Sequence, residues 1–155
     1  MLSTFAAILL VELITHSALA SLGDDASSAN SDMAALDGRI SEAPASTLSE
    51  SAAYNVKQFI TAKGTTVREY SAPSGPIFGI AWEGRKPPDL SVLLGSYYPE
   101  YVQAASIRHH FSLHHAVFQG NSVTVVITGH MGDLKGRAFV PNLTPSGVNP
   151  QAAVR

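Results

Sequence analysis

From Tyr54 onward the chain alternates apolar and polar side chains. "YNVKQFITAKGTTVREY" is rich in β-branched and aromatic residues, and Lys63-Gly64 breaks it, which predicts two strands joined by a hairpin. "SAPSGP" (71–76) supplies Pro and Gly for a second turn. "IFGIAWEG" (77–84) predicts a third strand, with Phe78, Ile80 and Trp82 on one face and Ile77, Gly79 and Ala81 on the other. The period then changes. In "PPDLSVLLGSYYPEYVQAASI", Asp89 suits a helix N-cap, and Leu90, Leu93, Leu94, Tyr97, Tyr98, Tyr101, Val102 and Ala105 form a helical stripe. Pro99 predicts a kink there, or two short helices with the proline opening the second. "HHFSLHHAVFQ", "SVTVVIT" and "KGRAFVP" return to strand character, with turns at Gly120-Asn121 and at "MGDLKG" (131–136).

These runs predict one α+β domain over residues 54–143, a mainly antiparallel sheet of five to seven strands with the 89–107 helix packed on one face. Residues 21–53 are mostly Ala, Ser and small acids and read as a leader with a short helix around 28–36 that Gly38 ends. Residues 144–155, rich in Pro, read as a tail that wraps the surface or frays. The first 20 residues read as a signal peptide. An apolar run from Phe5 to Val11 is followed by Ala18-Leu19-Ala20, a small-x-small cleavage pattern, although no Lys or Arg precedes the run and Glu12 interrupts it. Cleavage after Ala20 leaves a secreted or periplasmic chain beginning at Ser21, with no transmembrane anchor in the mature form.

Composition narrows the chemistry. The formal net charge is −2, which gives no electrostatic case for a nucleic-acid partner or an anionic membrane. The chain has no cysteine, so disulfides, thiolate zinc sites, thiol nucleophiles and cysteine-bound clusters are excluded. It also carries no G-x-S-x-G elbow, H-E-x-x-H, P-loop or dinucleotide fingerprint, and no cofactor is expected.

Four of the six histidines fall in "HHFSLHH" (109–115). Metal ligands must converge on one ion. On a helix His110 and His114 would do so; on a strand i, i+4 side chains stand about 13 Å apart. The alternation of Phe111, Leu113 and Val117 with Ser112 and Ala116 favours a strand, so no metal site forms within the segment alone. A cross-strand site remains. A two-residue loop at Gly120-Asn121 pairs Phe111 with His130 and brings His109 diagonal to it; a three-residue loop brings His110 and His114 there instead. The metal candidates are therefore His109, His114 and His130, with Glu83, Asp89 or Asp133 as the carboxylate. A separate candidate is a binding loop in "GHMGDLKGRAF", where His130, Lys135 and Arg137 could hold an anion.

Three blocks in order carry a resemblance. They are R-E-Y-x-x-P-x-G-x-x-F-x-x-x-W (Arg68 to Trp82), P-D-L-x-x-L-L-G (Pro88 to Gly95) and G-H-M…G-R-A (Gly129 to Ala138). With "SLGD" at Ser21, they resemble a family of secreted bacterial proteins known as domain of unknown function 2844, from about Ser21 to Val148. The resemblance implies export and an outline but no reaction and no catalytic residues. It places His130, not the histidine cluster, in a matching block. The expectation is an exported, non-enzymatic binding or accessory protein of the periplasm or cell envelope, whose partner is an unidentified envelope or extracellular ligand or protein. Two alternatives stand beside it: a small metal-dependent hydrolase using cross-strand histidines, and a structural subunit that buries the tyrosine face of its helix against a partner.

Overall fold

The computed structural model describes residues 22–40, 53–73, 75–107 and 115–155. They form an antiparallel seven-stranded sheet with three helices on one face and a short C-terminal helix on the other, an α+β fold. The strands are β1 (Arg39–Ile40), β2 (Asn55–Ile60), β3 (Thr66–Ser71), β4 (Ile77–Gly84), β5 (His115–Gln119), β6 (Thr124–His130) and β7 (Asp133–Phe139), in the spatial order β1-β2-β3-β4-β7-β6-β5. The helices are α1 (Ala29–Ala35), α2 (Leu90–Leu94), α3 (Tyr98–Ile107) and α4 (Pro150–Ala153). Among the described residues no helix is long and apolar enough to cross a membrane. The proposed signal peptide lies outside the described residues.

Register divides the side chains between the two faces. On the helix-covered face one row runs Phe59, Val67, Trp82, Gly136, Ile127, Ala116, and the next runs Lys57, Glu69, Ile80, Ala138, Val125, Phe118. Most of these residues are buried in the main core with Leu93 and Leu94 of α2. A β-bulge between β3 and β4 breaks the simple alternation expected for 77–84. Tyr70 pairs with Gly79 and Ser71 with Ile77, so Phe78 is the extra residue. Ile77 therefore joins Ile80 and Trp82 on the helix side, and Phe78 turns to the opposite face with Tyr70 and Phe139.

Residues 90–107 form one helical stretch in two parts. Asp89 caps α2, accepting from Ser91 N at 2.9 Å and from the Ser91 hydroxyl at 2.6 Å. A 3-10 turn over Gly95–Tyr97 joins α2 to α3. Pro99 sits in the first turn of α3, where its missing N–H costs nothing. Tyr98 and Tyr101 pack on the chain's own core, with the Tyr101 ring edge-on to Phe118 at 5.2 Å. The tyrosine stripe is thus used internally, whereas Val102, assigned to the same stripe by sequence, is exposed.

Both flanking segments pack against the sheet. Residues 22–25 run beside the start of β4: Gly23 N donates to Ile77 O at 2.8 Å, and Ile77 N donates to Asp24 O at 2.8 Å. Leu22 and Ala29 are core residues at 1% and 2% exposure, and β1 pairs with β2. Small residues carry little hydrophobic signal, yet they fit where a helix lies close to a sheet. At the other end, Val154 is fully buried against β4, where a Cβ on Gly79 would sit 2.3 Å from its Cγ2.

Turn lengths also correct the sequence reading. β7 begins at Asp133, so the "MGDLKG" turn reduces to Met131-Gly132. Pairing with β4 on one side and β6 on the other overrides the poor strand propensity of Asp, Lys and Gly. The β5–β6 loop has neither two residues nor three. Gln119 pairs with Thr124 and His115 with Thr128, leaving a loop over residues 120–123. Gly120 N donates to Val123 O at 2.9 Å, Ser122 N donates to Glu100 Oε2 at 2.9 Å, and Val123 is buried.

Candidate functional site

Three rows of side chains cross the face of the sheet opposite α1, α2 and α3. The first is Val56, Tyr70, Gly79, Phe139, Thr124, Gln119. It is apolar at its centre, and the C-terminal segment covers it through Val154 and Leu143. The second row is Gln58, Arg68, Ala81, Arg137, Val126, Val117, and the third is Thr66, Glu83, Lys135, Thr128, His115. These two rows and the end of the C-terminal segment line a groove of about 340 Å³. Four cationic side chains border it (Arg68, Lys135, Arg137 and Arg155) against one acid, Glu83. A chain of net charge −2 thus concentrates positive charge at one concave surface.

The groove's cations are oriented by internal bonds. Arg68 Nε donates to Gln58 Oε1 at 2.9 Å and its Nη1 to Arg155 O at 3.3 Å. The Tyr70 hydroxyl donates to the same carbonyl and accepts from Arg155 N at 3.2 Å. Arg137 Nη1 donates to Gln151 O at 2.8 Å and to Val154 O at 3.4 Å. Lys135 pairs with Glu83 at 2.8 Å, and that hydrogen bond holds the Glu83 carboxyl below its usual range and the Lys135 amine above its own. Both partners are roughly half exposed, so the pair stabilises little and its lysine can exchange partners at low cost. Each guanidinium has five donors, and these bonds engage two groups on Arg68 and one on Arg137. The remaining N–H groups can bind an oxyanion in fork geometry.

The sequence candidates separate. Lys135 and Arg137 meet in the groove, while His130 stands exposed at the β6–β7 turn, its Nδ1 3.5 Å from Met131 O. His115, the last histidine of the 109–115 cluster, lines the groove. His109, His110 and His114 lie outside the described residues. Of the proposed carboxylates, Glu83 is paired to Lys135, Asp89 caps α2, and Asp133 faces His130 across the turn. Among the described residues no group of three His, Asp or Glu side chains is placed to hold a metal.

One family model matches residues 18–153, that of a protein of unknown function, DUF2844. The chain belongs to the DUF2844 family. No curated protein and no solved structure matches it. The three DUF2844-like blocks read from the sequence now have places in the fold. The first supplies most of β3, the bulge and most of β4; the second caps and forms α2; the third forms the β6–β7 turn and all of β7 but its last residue. Arg68 and Arg137, two of the groove's cations, come from the first and third.

Sequence reasoning missed a second cluster. Asp32 of α1 and Glu69 of β3 are buried at 0% and 2% exposure, and their carboxyl groups lie against each other. No other described group hydrogen-bonds either one. Burial is the main cause that pushes Asp32 up, to about 9, with the Glu69 charge adding to it. Burial likewise raises Glu69, to about 7, against the opposing effects of its bond to Asp32 and of Lys57. The signal was present in "TVREYS", where Glu69 shares strand parity with Val67 and so points into the core.

Proposed function

We propose that this chain is an exported, non-enzymatic binding protein of the periplasm or cell envelope. In this reading its groove on the open sheet face takes a small, multiply charged oxyanion, a carboxylate or a phosphate. The observation that carries the reading is the set of four cations around one concave surface, with unspent guanidinium donors on Arg68 and Arg137. A charged ligand in an open groove is bound by charge-assisted hydrogen bonds and needs no nucleophile or metal. Export is supported by the apolar run and by the cleavage pattern ending at Ala20.

The test is calorimetric titration of the protein with inorganic phosphate, sulfate and citrate. At least one should bind, more weakly as salt rises, because the contacts are only partly buried. Arg68→Ala and Lys135→Ala should each weaken that binding about tenfold, the equivalent of ~1.4 kcal/mol. Affinity for all three anions that ignores both substitutions would refute the groove. Mass spectrometry of exported protein tests the location: a mature chain starting at Ser21 is expected, and one retaining Met1 defeats export by cleavage.

A further inference from the structure

The contact between α1 and the sheet contains a pair of acids that share an apolar site. On the β3 side Glu69 lies in the row of Ile80, Ala138, Val125 and Phe118, and on the α1 side Asp32 follows the buried Ala29 by three positions. Two ionised carboxylates cannot both remain there, because neither has a cation or a donor close enough to satisfy it. A single proton resolves the conflict: the protonated carboxyl donates to the other, which accepts as a carboxylate. We propose that Asp32 and Glu69 share such a proton, and that it fastens α1 to the sheet, so that its loss at alkaline pH releases the helix.

The groups facing this site set the sign of the response. Asp24, in the segment before α1, adds negative charge near Asp32 and favours keeping the proton. Lys57 of β2, whose amine donates to Asn30 Oδ1 on α1, favours the charged form of Glu69. α2 brings no charged side chain to the contact. Both acids titrate higher in the fold than their ordinary values of 3.8 and 4.5, to about 9 for Asp32 and about 7 for Glu69. Over that window the folded chain holds more protons than the unfolded chain, so stability is greatest at acidic pH and falls as pH rises. The pair binds one proton in common, so its two steps belong to the pair rather than to either residue. The loss therefore begins above the ordinary carboxylate range and is complete near pH 9, where the last proton leaves.

The experiment follows the alanine methyl signals of the full chain by 13C–1H spectroscopy from pH 5 to 10. The buried Ala29 methyl should move to its unfolded position with a midpoint between pH 7 and 9, while Ala138 in the centre of the sheet stays put. Asp32→Asn replaces the shared proton with a permanent amide donor and should abolish the transition. Glu69→Gln should do the same from the other side and serves if the first variant does not fold. An Ala29 signal unchanged through pH 10 would overturn the proposal. So would a folded variant of either kind that releases α1 at the wild-type pH.

Discussion

Gly136→Ala should lower stability by about 3 kcal/mol, the upper range for forcing an extra carbon into a packed core. Gly136 lies directly across from Trp82 between β4 and β7, on the face that the helices cover. A Cβ there would stand 2.1 Å from two carbons of the indole ring, far inside contact distance. The backbone offers no relief, because β4 and β6 hold β7 from both sides. The indole must therefore turn out of its site, which disturbs Val67 and the α2 leucines packed around it. Trp82 is the chain's one tryptophan, so its fluorescence during urea unfolding reports both the lost stability and the displaced ring. Adding Trp82→Phe should recover part of the loss, since it shortens the colliding side chain. A Gly136→Ala protein with the wild-type midpoint and emission would show that the indole does not lie over β7.

Leu22→Ala should cost about 2–5 kcal/mol, as expected for truncating a fully buried leucine. Residues 22–25 are bonded into the fold. Leu22 N donates to Leu93 O at 3.0 Å, Asp25 bridges to Pro76, and the leucine side chain is 1% exposed. A flexible leader would instead give no change at all. Denaturation midpoints of the two proteins decide between these outcomes. Deletion of residues 1–21 supplies the contrast, since the proposed mature chain begins just before Leu22.

The sequence made the central strands legible because their alternation is regular and their turns carry Gly or Pro. β2, β3 and β4 follow from "YNVKQFITAKGTTVREY" and "IFGIAWEG", and the divided helix followed from Pro99. What escaped was set by contacts that local pattern does not encode. Ala29 and Asp32 are buried because α1 lies close against β2 and α2, and Leu22 because its segment bonds to Leu93 and runs beside β4, whereas in sequence all three sit among small polar residues. The Phe78 bulge depends on the partner strand, and "DLKG" is a strand only because it is paired on both sides. The candidate site shows the same division. Lys135 and Arg137 stood out as a cationic stretch, but Arg68, His115 and Arg155 reach the groove only through sheet order and the folded-back C-terminal segment. The histidine cluster drew attention by its density. The four-residue β5–β6 loop instead sets His115 opposite Thr128, two residues short of His130.

Anion binding on the open face is decided by a 15N–1H titration with citrate, or with phosphate. Amide shifts should concentrate on Arg68, His115, Thr128, Lys135 and Arg137, leaving α3 and the β2–β3 turn unchanged. Saturating anion that leaves those five signals in place, or that moves the helix-side residues instead, would contradict it.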